Sequence, residues 1–179
     1  GKLTFSGASV TGDGIHSVND IVPAADTPVM SMTDSATAYG VADGADAASN
    51  LGYNITVGDV KVSAEMQKGA GTDKTYGIQY TGIDGLEVGY AMGDNEGGTA
   101  VKENSVFYAT YAMDAFTIGI QTNEVDSETA AADYDFEALG ISYAVSDDMS
   151  ISYGMAEVSY ENSSLTDQES GALSFSYTN

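Results

Sequence analysis

The predicted strands of this chain are joined by connections that alternate strictly between short and long. From residue 51 onward the successive connections are 58–59, 67–74, 82–85, 93–103, 113–115, 123–133, 146–148 and 161–170. In an up-and-down antiparallel sheet every second connection lies at the same end, so the tight turns fall at one rim and the long acidic loops at the other. The spacing therefore predicts an all-β chain of about ten strands, each paired with its neighbours in sequence.

Within the predicted strands, apolar residues alternate with small or polar ones, which is the period of a β-strand with two different faces. One face carries the large apolar side chains, and the other carries mainly Ser, Thr, Gly and Gln. The run 105–112 fits either phase, and we assign Phe107 and Tyr111 to the apolar face by analogy with the later hairpin that contains Tyr143.

Two environments are compatible with such a sheet. A soluble barrel or sandwich hides its apolar face in a core, whereas a transmembrane barrel turns that face towards lipid. The transmembrane barrel is favoured because the connections imply neighbour pairing throughout, and because a polar face with few charges suits a water-filled lumen. Tyrosines near the predicted turns also match the interfacial positions of a membrane protein: Tyr53, Tyr80, Tyr111, Tyr143 and Tyr177. A soluble secreted β-rich binding module or surface-layer module is the alternative.

The composition limits the function classes. The chain has 27 acidic and 5 basic residues, all of the latter Lys, and a formal net charge of −22. Phosphate recognition requires Lys and Arg, so nucleic acid is excluded as an expected partner, and the acidic surface attracts cations instead. Because His16 is the only His and Cys is absent, we expect neither a zinc site nor a nucleophile with an imidazole base, and hence no enzyme. No apolar run approaches the length of a transmembrane helix.

A long connection, 10–49, follows the first predicted strand. It is rich in Ala, Asp, Ser, Thr and Gly and contains both prolines, Pro23 and Pro28. A connection of this length in a compact domain is either functional or disordered.

Three stretches of the chain resemble general porins of the Gram-negative outer membrane, most closely the type found in marine alphaproteobacteria. They are GKLTFSG at 1–7, VNDIVP at 18–23, and the Tyr- and Gly-rich hairpins that continue to FSY at 175–177. The resemblance implies a homotrimer of barrels with about sixteen strands each, with 10–49 as a constriction loop folded into the lumen.

The chain departs from the porin pattern in two respects. Only about ten strands are visible in residues 1–179, so we expect one partial barrel domain with strands missing at both ends; a complete ten-stranded barrel plugged by 10–49 is the alternative. Porins of this type set an arginine cluster opposite the acidic loop, whereas this chain has no Arg. The expected pore field is therefore negative on both sides.

These features predict an outer-membrane channel for the passive diffusion of small hydrophilic solutes, with cations preferred because carboxylates line the path. Glu65 and Glu87 lie between apolar neighbours, and since a carboxylate in lipid is costly, both are expected to point into the lumen. The predicted constriction has Asp13, Asp20, Asp26 and Asp34 on the loop, facing Lys61, Glu65, Gln79, Glu87 and Gln121 on the wall. No cofactor is expected beyond weak Ca²⁺ binding at acidic loops, and the expected partners are outer-membrane lipid and lipopolysaccharide, the latter bridged by divalent cations.

Overall fold

The computed structural model describes residues 1–10, 22–23, 49–68, 72–95, 101–127, 133–162 and 164–178. These residues form ten strands and contain no helix, so no helix among them could cross a membrane. The strands are β1 (Lys2–Val10), β2 (Ser49–Val57), β3 (Val60–Lys68), β4 (Thr72–Ile83), β5 (Leu86–Asn95), β6 (Val101–Met113), β7 (Phe116–Ser127), β8 (Tyr134–Ser146), β9 (Met149–Tyr160) and β10 (Gln168–Tyr177).

All ten strands belong to one antiparallel sheet, in which they follow one another in chain order. The prediction of an all-β, up-and-down arrangement is therefore confirmed. The alternative of a complete, closed ten-stranded barrel is not observed, because the sheet order begins at β1 and ends at β10 and no pairing joins these two strands among the described residues.

The four tight turns have two residues each, at 58–59, 84–85, 114–115 and 147–148, and every one contains an Asp. Their predicted positions are confirmed. The predicted long connections are wrong in extent, since β3 continues to Lys68, β5 to Asn95 and β7 to Ser127. Backbone hydrogen bonds hold a ladder together whatever the side chains are, so the strands extend into polar sequence that carries no alternation signal.

Each tight turn is tied to the following hairpin by a backbone hydrogen bond. The carbonyl of Gly85 accepts from the amide of Ala112 at 2.8 Å, and the carbonyl of Ala115 accepts from the amide of Ala144 at the same distance. The first and last turns repeat this arrangement with Thr81 and Thr178 as donors. The turn rim is therefore a continuous part of the sheet.

We expect Gly85→Ala to destabilise the fold far more than Gly58→Ala. Both glycines have a positive φ, 60° at Gly58 and 75° at Gly85, which costs an L-residue about 1–2 kcal/mol. A Cβ at Gly58 would meet open space, whereas one at Gly85 would collide with the carbonyl oxygen of Ala112. The loss in free energy of unfolding should be about 3 kcal/mol or more at Gly85, and equal losses for the two variants in denaturant titrations would contradict this account.

The two faces of the sheet differ sharply in exposure. The more exposed face, which we call the outer face, contains Ile78 and Ile118, whose side chains are 47% and 45% exposed. The opposite, inner face contains Ser63, which is only 4% exposed. The phase assigned to β6 is confirmed, since Phe107 is exposed and Tyr108 is buried. Large apolar side chains thus lie on the exposed outer face, whereas the buried inner face carries polar side chains together with apolar ones such as Val106 and Phe136.

The strand register shifts by a constant step from one hairpin to the next. Val60 is the first residue after the first turn, and the cross-strand row that contains it reaches Val88 on β5. The first residue after the second turn is Leu86, so the second turn is shifted by two residues relative to the first. The third and fourth turns repeat this shift of two residues in the same direction. Each residue rises about 3.3 Å along a strand, and neighbouring strands are about 4.8 Å apart. A shift of two residues for every two strands therefore tilts the strands by about 35° from the perpendicular to the line of turns, which is within the range found in β-barrels.

Along this tilted rim the outer face carries an apolar band of similar height on successive strands. On β4 to β10 the first outer-face Asp, Glu or Lys comes eight to ten positions from the strand residue nearest the turn rim: Lys74, Asp94, Glu103, Glu124, Glu137, Glu157 and Glu169. Between the rim and these residues, no outer-face side chain is charged in the described strands. Eight to ten residues tilted by about 35° span about 22–27 Å, close to the roughly 25 Å apolar band of a transmembrane barrel.

Candidate functional site

The five predicted wall residues all lie on the inner face of the sheet. Lys61, Gln79 and Gln121 belong to one cross-strand row, which runs from β3 to β7 through Gly89 and Tyr108. Two further predicted residues lie on either side of this row on the same face. Glu87 is two residues closer to the turn rim on β5, and Glu65 is four residues further from it on β3. Their function as pore-lining residues stays a prediction.

A hydrogen-bond network joins three strands of this wall. The hydroxyl of Tyr108 donates to Glu87 Oε1 at 2.7 Å and accepts from Gln79 Nε2, also at 2.7 Å. The Tyr108 side chain is fully buried. Since β4, β5 and β6 each contribute one residue, the network links neighbouring strands through their side chains in addition to the backbone ladder.

The Tyr108 ring lies against the wall because Gly89 leaves room for it. Gly89 on β5 is the register partner of both Gln79 and Tyr108. A Cβ at this position would overlap the Tyr108 ring and hydroxyl. The absence of a side chain at Gly89 therefore allows the phenol to reach across β5 to its two partners.

The remainder of the wall is rich in buried hydrogen-bonding groups. Gln121 Nε2 donates to Asn123 Oδ1 at 3.0 Å along β7, and Glu65 is 2% exposed. The hydroxyl of Thr75, the register partner of Glu65, is buried without a hydrogen-bond partner. These polar groups therefore lie on the inner face of the sheet, opposite the apolar outer face.

An apolar patch interrupts the polar wall on β8 and β9, and part of the long connection is seated there. Val22 is 3% exposed and belongs to an apolar cluster with four inner-face residues. These are Phe136, Ala138, Ala156 and Val158. Next to them, Pro23 lies over Gly119 and Gly140, where a Cβ would approach Pro23 Cδ or collide with the Pro23 carbonyl oxygen. Residues 22–23 are the only part of 11–48 that the structure describes, and they lie on the inner face.

The four predicted loop carboxylates, Asp13, Asp20, Asp26 and Asp34, lie outside the described residues. No group of three or more His, Cys, Asp or Glu side chains that could hold a metal occurs within the described ranges. Weak Ca²⁺ binding at the acidic loops therefore stays a prediction.

The chain matches no family model, and a search of curated proteins found no significant match.

Sequence reasoning missed two elements of this site. Tyr108 follows from the phase chosen for β6, which turns it inward, but its partners depend on the register with Gly89. Gly119 and Gly140 are register partners. From the sequence they could be recognised only as small residues on the polar face. Nothing in the sequence connected them with Val22 or Pro23.

Proposed function

We propose that this sheet is the wall of a transmembrane β-barrel in the outer membrane of a Gram-negative bacterium. The observation that carries the proposal is the outer-face apolar band, which has a height of about 22–27 Å on β4 to β10 and ends in a carboxylate on each strand from β5 to β10. A soluble protein rarely exposes a contiguous apolar surface of this extent. Lipid acyl chains would cover the band, and the carboxylates beyond it would lie at the level of the polar headgroups.

The register supports a barrel in particular. A shift of two residues per hairpin, always in the same direction, corresponds to a strand tilt of about 35°, which closed barrels require. The exposed tyrosines near the turn rim, such as Tyr80, Tyr111 and Tyr143, occupy the interfacial level of such a barrel. A barrel of about sixteen strands in a homotrimer is the finer form of this proposal.

The proposed function is passive diffusion of small hydrophilic solutes through a water-filled lumen. The polar inner face supplies the hydrated wall, and the seat of Val22 on β8 and β9 supports a long connection that enters the lumen and narrows it. The expected preference is for cations, because Glu65 and Glu87 lie on the inner face and the chain carries a net charge of −22. Lipopolysaccharide, bridged by divalent cations to the outer carboxylates, is the partner this arrangement favours.

Reconstitution of the full-length protein into planar bilayers tests the proposal directly. We expect stable channels whose reversal potential in a KCl gradient has the sign of a cation-preferring pore. Equal permeability to K⁺ and Cl⁻ at low salt would reject the selectivity, and a protein that is monodisperse in buffer without detergent and forms no channels would favour the soluble binding or surface-layer module instead.

A further inference from the structure

We propose that Tyr108 is a positioning residue that holds the Glu87 carboxylate in place as a fixed negative charge of the channel wall. The inference rests on the proposed function and adds to it the residue on which the local cation preference depends. Glu87 was a predicted wall residue, whereas no sequence pattern connected it with Tyr108.

The hydrogen bonds define the direction of the contact. A tyrosine hydroxyl has one proton to donate, and here it is directed to Glu87 Oε1 at 2.7 Å. The amide of Gln79 donates to the same hydroxyl at 2.7 Å, which favours an orientation of the hydroxyl proton towards Glu87. A charge-assisted bond of this length belongs to the stronger class of protein hydrogen bonds.

The surroundings of Tyr108 make it a rigid support. Its side chain is fully buried, and the ring occupies the space that a side chain at Gly89 would otherwise fill. A buried aromatic ring with two χ angles has little freedom left once its hydroxyl is bonded at both positions. Glu87 is half-buried, so its carboxylate remains close enough to solvent to act on passing ions.

A fixed carboxylate affects ions more than a mobile one does. A glutamate held at one position always acts on ions at the same point of the channel. A free side chain extends into solvent, where its charge is more strongly screened. Breaking the Tyr108 contact should therefore weaken the cation preference even though the charge of Glu87 remains.

The experiment is a double-mutant cycle on the K⁺/Cl⁻ permeability ratio, obtained from reversal potentials at low salt. Glu87→Gln should lower the ratio about fivefold, because a unit charge roughly 8 Å from the ion path attracts cations and repels anions by similar amounts. Tyr108→Phe should lower it about twofold, and the double variant should equal Glu87→Gln alone, since the hydroxyl acts only through the carboxylate. Tyr153→Phe, on the exposed outer face, is the matched control and should leave the ratio unchanged.

Several results would overturn the inference. It fails if Tyr108→Phe leaves the ratio of a cation-preferring channel unchanged, if Glu87→Gln has no effect, or if the effects of the two substitutions are independent. If Tyr108→Phe does not fold, Gln79→Met removes the other partner of the hydroxyl and should lower the ratio in the same direction; no change there would also count against the inference. If the wild-type full-length protein forms no channel, the proposed function fails and this inference fails with it. If the wild type forms a cation-preferring channel and the variants behave in any of the ways above, only this inference fails.

Discussion

Ile141→Arg is expected to destabilise the membrane-inserted protein by about 2–4 kcal/mol, the cost of an Arg near the middle of a bilayer on the lipid face of a barrel. Ile141 is 42% exposed on the outer face of β8 and lies five residues from the end of that strand at Ser146. This places it near the middle of the apolar band. The free energy of unfolding would be measured by urea titration in lipid vesicles.

The neighbouring variant Ser142→Arg is the matched control, because it puts the same charge on the opposite face of the same strand. Ser142 is half-buried on the inner face, and its hydroxyl accepts from Ser152 Oγ at 3.1 Å. In a water-filled lumen this substitution should cost only about 1 kcal/mol, the value of a typical hydrogen bond. The soluble alternative predicts the reverse order, since Arg at an exposed surface position usually changes stability by less than about 0.5 kcal/mol.

Gly140→Val is expected to displace the Val22–Pro23 segment from its seat and to raise single-channel conductance. The new side chain would occupy the space that the Pro23 carbonyl oxygen and Val22 Cγ1 now fill. Release of Val22 from its apolar cluster should cost about 2 kcal/mol of stability, the value of burying one such side chain. If the long connection narrows the pore, its release should increase conductance on the order of twofold, because conductance follows the open cross-section.

Ala172→Val serves as the control for this experiment. Ala172 lies on β10 in the cross-strand row that also contains Gly140 and Gly154. The valine at this position therefore adds bulk at the same level of the inner face as Gly140→Val does. It should leave conductance close to the wild-type value. A Gly140→Val protein that loses stability while its conductance stays unchanged would show that the segment does not narrow the path.

The sequence was a good guide to local features and a poor one to the ends of strands. The period of two assigned the faces of most strands correctly, and in β6, where it fitted either phase, the analogy with the hairpin of Tyr143 chose the right one: Phe107 is exposed and Val106 is buried. It failed beyond the apolar band, where polar stretches such as 123–127 continue as strand. Backbone pairing in these stretches depends on the length of the neighbouring strand. That length cannot be read from the side chains of a single strand.

The candidate site shows the same division. The alternation of residue types along the strand was enough to place Glu65 and Glu87 on the inner face, because both neighbours of each carboxylate are apolar or small and point to the other face. It could not indicate that Tyr108 bonds to Glu87, since the two residues are 21 positions apart and meet only when β5 and β6 pair in one register. The seat of Val22 on β8 and β9 joins residues still more distant in the chain.

The sequence by itself determined the strand number, the turn positions and the identity of the two faces, because each depends on neighbouring residues and on the alternation of side chains along one strand. The tertiary structure alone decided the shift between hairpins, the alignment of the apolar band across the strands and the contacts of Tyr108 and Val22. These depend on which residues of different strands lie side by side, and a slip of the register would change all of them while leaving every local pattern intact.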